Sequence, residues 1–285
     1  MHRFTHLSLR RLLYLNLFAA IAMIGVGIPL CYRQPAEAAP VDCADEATTG
    51  VPEAECLTLF ALYDSTTGPG WYDDTNWKSA TAVDTWYGVT VSGGHIQGIG
   101  LWYNNLSGPL PDLSALTELQ VLDLYHNQLT GPIPALPASL QTIWMYQNQL
   151  TGSIPTLPSS LLDLDLHDNQ LTGPIPALPA SLQALDLYDN GLTGSIPALP
   201  ASLEVLYLSH NQLTGSIPSL PPSLRELFLN NNQLAGSIPP LPSSLEYLAL
   251  NYNQLTGSIP SLPSSLRTIH LSHNQLTGSI PPLPA

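Results

Sequence analysis

Asp163, Asp165, Asp168, Asp186 and Asp189 crowd one short stretch of the chain, with His167 among them. Two kinds of chemistry are open to such a group. Carboxylates held close together repel, so a hard cation such as Ca²⁺ can bridge them. A histidine beside carboxylates can also move protons. His167 with Asp165 and Asp168 is the nearest thing to an acid–base set. It lacks a nucleophile and a water-excluding pocket, and the sequence has no G-x-S-x-G, no H-E-x-x-H and no phosphate loop. No catalytic residue is assigned, and the chain reads as non-enzymatic. For the carboxylates, a solvated acidic patch that steers basic ligands is the preferred reading. No metal and no cofactor is expected; if one were bound, those five aspartates would supply it. Of His126, His167, His210, His270 and His273, most read as ordinary surface residues.

What positions these residues is a period. Asp165 and Asp186 are 21 residues apart, and so are Asp168 and Asp189. The same interval separates Asn127, Asn148, Asn169, Asn190, Asn211, Asn232, Asn253 and Asn274, with Asn104 one looser step ahead. Self-alignment gives LPxSLxxLxLxxNxLTGxIPx, in eight copies from Leu119 onward and a looser first copy around Ile96–Leu110. Alternation around Leu185 and Leu187 predicts a strand. The proline-rich remainder, such as residues 131–137, excludes α-helix and predicts extended or polyproline-like return backbone with tight turns. One copy carries about six apolar side chains worth about 1.5–3 kcal/mol each. Ordering its backbone costs about 1–2 kcal/mol per residue. A single copy therefore cannot fold alone, and stacked copies that share a parallel sheet are the expected solution. At the bend after each strand, a buried Asn amide offers donors and an acceptor that can satisfy its own turn and the next one together. Gly131, Gly152, Gly173 and their equivalents supply the permissive turn that follows.

Only the outward strand positions vary. The central column reads Gly100, Asp123, Trp144, Asp165, Asp186, Tyr207, Phe228, Ala249, His270. The next reads Trp102, Tyr125, Tyr146, His167, Tyr188, Ser209, Asn230, Asn251, Ser272, and a third runs from Tyr103 through His126, Gln147, Asp168 and Asp189 to His273. At a strand spacing of about 4.8 Å they make one surface roughly 40 Å long. Its exposed aromatic content favours a binding face, although rings at ladder spacing can also simply stack on each other. The expected ligand-binding residues are Trp102, Tyr103, Asp123, Tyr125, Trp144, Tyr146, Asp165, Asp186, Tyr188, Tyr207 and Phe228. A Thr column (Thr151, Thr172, Thr193, Thr214) raises an ice-binding role, but such a column also follows from the repeat itself.

Arg3, Arg10 and Arg11 precede an apolar run from Leu12 to Leu30, and Ala36-Glu37-Ala38 follows as a small-x-small site. Residues 1–38 are read as a signal peptide, with an uncleaved membrane anchor as the alternative given the length of the run. Removal leaves Cys43 and Cys56, an even pair in an oxidising compartment, for which a disulfide is the natural reading. It also leaves three basic residues against 20 acidic ones, a net charge near −17. Nothing basic then remains to neutralise phosphates, which excludes nucleic acid and anionic membrane as partners.

The pattern LxxLxLxxNxLTGxIP resembles the plant-type leucine-rich repeat of receptor-kinase ectodomains and polygalacturonase-inhibiting proteins. The 21-residue period departs from the 24 usual there, and LPxSL is more similar to bacterial leucine-rich repeats. Residues 53–91, with CLTLFALYDSTTG, GWYDDTNW and WYGVTV, resemble the N-terminal caps of bacterial members. The resemblance implies a leucine-rich repeat solenoid: a parallel sheet on the concave face, a polyproline or 3-10-like convex side, and a small α+β cap. Domains are then a signal peptide (1–38), a cap (39–95) and nine repeats (96–285) with no polar capping segment after the last. Trp71, Trp77 and Trp86 with Leu59, Phe60 and Leu62 are expected to cover the open end of the first turn. The implied function is secreted or cell-surface binding of a protein or peptide through the concave face. Glycan binding, with aromatic platforms under sugar rings, and a structural or adhesive surface role are the alternatives. Asn105-Leu106-Ser107 is a glycosylation sequon.

Overall fold

Each repeat sets one leucine between two outward-facing neighbours, and that alternation makes a three-residue strand. In Ala184–Asp186, Leu185 points inward and is almost fully buried, while Ala184 and Asp186 flank it on the other face. Leu182 and Leu187 bracket the strand and are also buried. In the computed structural model, which describes residues 41–283, nine such strands from His95–Gly100 to Thr268–His270 lie parallel in one sheet. Strand Val89–Ser92 adds an antiparallel edge. The export segment read at 1–38 lies outside the described residues. Among the described residues no helix is long and apolar enough to cross a membrane.

The inner sheet pairs like with like. Leu164, Leu185 and Leu206 are successive partners, as are Asp165, Asp186 and Tyr207. The central column from Gly100 to His270 is a continuous row of cross-strand partners.

The return side holds more strand than the sequence suggested. Gln-Leu-Thr-Gly forms a second set of parallel strands, such as Gln149–Gly152, Gln170–Pro174 and Gly191–Ser195. These make a six-stranded and a three-stranded sheet. Hydrogen bonds from Gln233 N to Leu213 O and from Ala235 N to Gly215 O, both 2.8 Å, carry the ladder across the division. The reason is again alternation: Leu is buried, and Gln and Thr on either side point out. The Ile-Pro-x-Leu-Pro segment that follows runs without strand, as its prolines require. Register on this side is staggered. Thr193 partners Gln212 and Thr151 partners Gln170, so each Thr lies beside the Gln of the next turn, not beside the next Thr.

Two polar columns tie the turns. Asn148 Nδ2 donates to Met145 O of its own turn and to Leu124 O of the preceding turn, not the next one as expected, both at 3.1 Å, while its Oδ1 accepts from Leu129 N at 2.9 Å. Asn169 through Asn274 repeat this pattern. Asn127 does likewise toward Leu101 O and Leu106 N. Asn104 turns instead to the cap, bonding both backbone groups of Asp73. The second column is the serine of LPxSL, for which the sequence offered no role. Ser202 Oγ sits 2.8 Å from Ala180 O and 2.6 Å from Leu182 O of the preceding turn, one hydroxyl hydrogen serving two carbonyls. Ser160, Ser181, Ser223, Ser244 and Ser265 do the same.

The cap is a helix, Glu53–Ser65, over the first turn, held by the Cys43–Cys56 disulfide. Trp71, Trp77 and Trp86 are 7, 6 and 1% exposed and pack edge to face and tilted against one another, with Phe60 stacked on Trp86. They are core, not a ligand pocket. The sequon nitrogen is engaged: Asn105 Nδ2 donates to Gly70 O at 2.7 Å. At the other end Leu266, Ile269, Leu271 and Leu276 are only partly buried, and Ile280 and Leu283 are exposed.

Candidate ligand-binding face

The inner face has three columns of different character, because three different backbone states carry them. Central-column residues sit in the strands. Residues two places later, Trp102 to Ser272, stand just past them. The third column is not strand: Tyr103, His126, Gln147, Asp168, Asp189, His210, Asn231, Tyr252 and His273 all have φ between 51° and 59°. This left-handed turn disfavours β-branched and bulky side chains and favours Asn, Asp and His. The polar bias of that column is thus partly a backbone requirement, a signal visible in the sequence but not read there.

The second column is a stack. Trp102 lies on Tyr125 (ring centroids 5.5 Å, planes 11° apart), Tyr125 on Tyr146 (4.4 Å, 6°), and Tyr146 on His167 (4.4 Å, 12°). Rings so stacked occupy each other's faces and present edges and hydroxyls outward. The stack ends there: Tyr188 leaves the row and meets His210 edge-on at 5.2 Å. In the central column Tyr207 meets Phe228 edge-on at 4.9 Å, and its hydroxyl donates to Glu226. Trp102, Tyr103 and Tyr188 are exposed; Tyr125, Trp144, Tyr146, Tyr207 and Phe228 are half-buried. The expected face is therefore assembled, with Trp102, 45% exposed, ending the stack on the cap side and His167 ending it on the other. Tyr72 of the cap, 73% exposed and tilted against Tyr103 at 6.4 Å, extends it and was not singled out by the repeat pattern.

The acidic group does not act as five equal residues. Asp165 is buried, and its Oδ1 lies 2.6 Å from His167 Nδ1, with Asp186 Oδ2 at 3.7 Å from the same nitrogen. Asp168 Oδ2 is 3.8 Å from Nε2 on the other side of the ring, while Asp189 is exposed. Burial works to lower the His167 pKa, but the Asp165 hydrogen bond and charge, with Asp186 and Asp168 behind, outweigh it and hold the imidazole above its usual value. His167 is accordingly not an ordinary surface histidine. Asp123 is 8% exposed, and its Oδ1 has no hydrogen-bond partner. Burial pushes its carboxyl up to about 7; the Tyr125 N–H opposes this and the Asp165 charge adds to it. The indole Nε1 of Trp144, on the strand between Asp123 and Asp165, is likewise buried without a partner.

The lower half of the face is quieter. Ser209 Oγ donates to Asn230 Oδ1 at 2.7 Å, His210 Nε2 meets Asn231 Nδ2 at 3.0 Å, and Tyr252 stacks on His273 at 4.1 Å.

Comparison with known proteins gives the scaffold a family. The solved structures most like it include a plant ice-binding protein, at 28% identity and TM-score 0.64, covering 81% of this chain and 90% of that one. PEPR1–AtPEP1 is similar at 27% identity and TM-score 0.56, covering 80% of this chain and 42% of that chain. No curated protein matches. The family model described as Leucine Rich Repeat matches residues 118–140, 139–161, 160–182, 181–203, 244–266 and 265–285, and the one described as Leucine Rich repeats (2 copies) matches 201–243. These spans run without a gap over more than half of the sequence, and the chain belongs to the leucine-rich repeat family.

Proposed function

We propose that the protein is a non-enzymatic, exported binding protein that recognises a protein or peptide segment along its inner face. The observation that carries this reading is the contrast in variability: the outward positions of the inner sheet change at nearly every turn, while the Gln, Thr and Gly of the return strands repeat with few exceptions. A surface that must recognise a particular partner needs positional differences; a scaffold needs none. The stack from Trp102 to His167 lies beside carboxylates, which suits a polypeptide with aromatic and basic residues. It suits a sugar ring less well, because a sugar docks on a free aromatic face. The similarity to PEPR1–AtPEP1 is in keeping with partner recognition. Export is supported by the Cys43–Cys56 disulfide and the signal-like start of the sequence. Panning a displayed random-peptide library on the full chain tests the reading. Recovered peptides should be rich in Lys and Arg and lose at least about tenfold in affinity on Tyr146→Ala. Peptides that bind the Tyr146→Ala chain unchanged would remove the inner face from the account.

A second reading has one observation in its favour. The plant ice-binding protein is similar over most of its length, and Thr172, Thr193 and Thr214 are exposed on the return sheet. The stagger of that sheet sets Gln between successive threonines, so the face is a Thr–Gln lattice and not a pure Thr row. Thermal hysteresis and ice-recrystallisation assays on the full chain decide it: arrest of crystal growth that Thr193→Tyr abolishes would establish ice binding.

A further inference from the structure

Asp165, His167 and Asp186 converge more closely than a recognition surface requires. One ligand atom from each lies within 4.8 Å of the others. Around His167 Nδ1 the two carboxylate oxygens stand at 2.6 and 3.7 Å. A tetrahedral ion with bonds of about 2.0–2.1 Å needs its ligand atoms about 3.3 Å apart. Seating the ion means moving the Asp165 oxygen about 0.7 Å away from Nδ1 and the Asp186 oxygen about 0.4 Å toward it, which side-chain rotation can supply. The strands hold the donors in place: Asp165 and Asp186 are cross-strand partners, and Asp165 Oδ1 and Asp186 Oδ1 each accept the backbone N–H two residues on.

The surroundings are those of a cation site. Asp168 Oδ2, which accepts from Gln147 Nε2 at 3.4 Å, stands 3.8 Å from His167 Nε2, outside hydrogen-bond distance but on the side of the ring where an outer carboxylate supports a ligating histidine. One imidazole faces three carboxylates, so even a protonated ring leaves the group negative. The only Lys and Arg among the described residues are committed elsewhere: Lys78 to Asp64, Arg225 and Arg267 to Glu246.

We propose that Asp165, His167 and Asp186 form a binding site for a borderline divalent ion such as Zn²⁺, with Nδ1 and one oxygen of each carboxylate as ligands and a fourth position open toward the inner face. The mixed nitrogen and oxygen donor set distinguishes this from a Ca²⁺ site, which needs six to eight oxygens at about 2.3–2.6 Å. The five aspartates weighed from the sequence as Ca²⁺ candidates thus divide into two ligands, an outer partner, the exposed Asp189, and Asp163, which pairs with Ala184 ahead of the site residues on the same strands. This site is independent of the peptide reading and needs no peptide to be tested.

The experiment uses the untagged full chain. Calorimetric titration with ZnCl₂ should show one saturable site, EDTA should reverse a rise in Tm, and Co²⁺ should give a visible absorption band of a tetrahedral centre. His167→Gln and Asp186→Asn should each weaken Zn²⁺ at least tenfold and remove the Co²⁺ band, while Asp189→Asn should keep both; circular dichroism confirms that each variant is folded. Absence of saturable Zn²⁺ binding would overturn the site. So would an equal response to CaCl₂, or a Zn²⁺ response that survives His167→Gln, since each would leave only diffuse attraction to an acidic surface.

Discussion

The inner and return sheets are written by the same 21 residues and come out differently. On the inner sheet residue pairs with residue at full period, Asp165 with Asp186, so each column is a row of equivalents. On the return sheet Thr193 pairs with Gln212, two residues short of a period, so equivalents step sideways and each residue meets a different one. Like-on-like pairing lets side chains in a column interact down the stack, which is how four rings from Trp102 to His167 come to lie face on face. Staggered pairing denies this to the threonines. The face where neighbours communicate is the one the sequence varies, and the face where they do not is the one it repeats. The lesson is that register, more than residue choice, decides which surface of a repeat can hold a site.

The comparison breaks most severely if the common scaffold fails. Asn211→Ala would leave Leu192 N, Leu187 O and Leu208 O without their amide partner. At about 1–3 kcal/mol for each buried unsatisfied group, it should cost about 4 kcal/mol or more by chemical denaturation. Ser202→Ala removes one shared hydroxyl and should cost only about 1 kcal/mol in the same assay. Between these lies a pH effect confined to the inner face. The Asp123 carboxyl is raised in the fold to about 7 from an ordinary value of 3.8, so the folded state holds a proton that the unfolded chain has released. Stability is lost as pH climbs between those values and is then constant above about 7. Asp123→Asn should therefore raise Tm at pH 8, by an amount worth up to about 4 kcal/mol, and change little at pH 3. Smallest of all, Thr193→Val on the return sheet should shift stability by less than about 0.5 kcal/mol, as an exposed substitution does.

Much of this was legible beforehand, for a definite reason. A period of 21 aligned on Leu and Asn leaves few ways to stack, so the central column could be written down by number and is the row of partners observed. The Cys43–Cys56 bond and the buried tryptophans followed from cysteine count and from the need to cover an end. The stagger of the return sheet was not legible, because Gln-Leu-Thr is too short for alternation to stand out and period alone does not fix the register of two strands. The serine column was hidden in plain view: its partners are backbone carbonyls of another turn, invisible to side-chain pattern. The acidic group misled in a different way. Sequence counts carboxylates, whereas the side chains' directions decide that Asp165 and Asp186 face His167 and Asp189 faces water.

The central claim is that recognition resides on the varied inner face and not on the repeated return face. It is tested most directly by one binding titration, made with a library-selected peptide against three chains: the natural one, Tyr125→Ala with Tyr146→Ala, and Thr172→Tyr with Thr193→Tyr. The account predicts at least a hundredfold loss for the tyrosine pair and unchanged affinity for the bulky return-face pair. Loss confined to the return-face pair would contradict it.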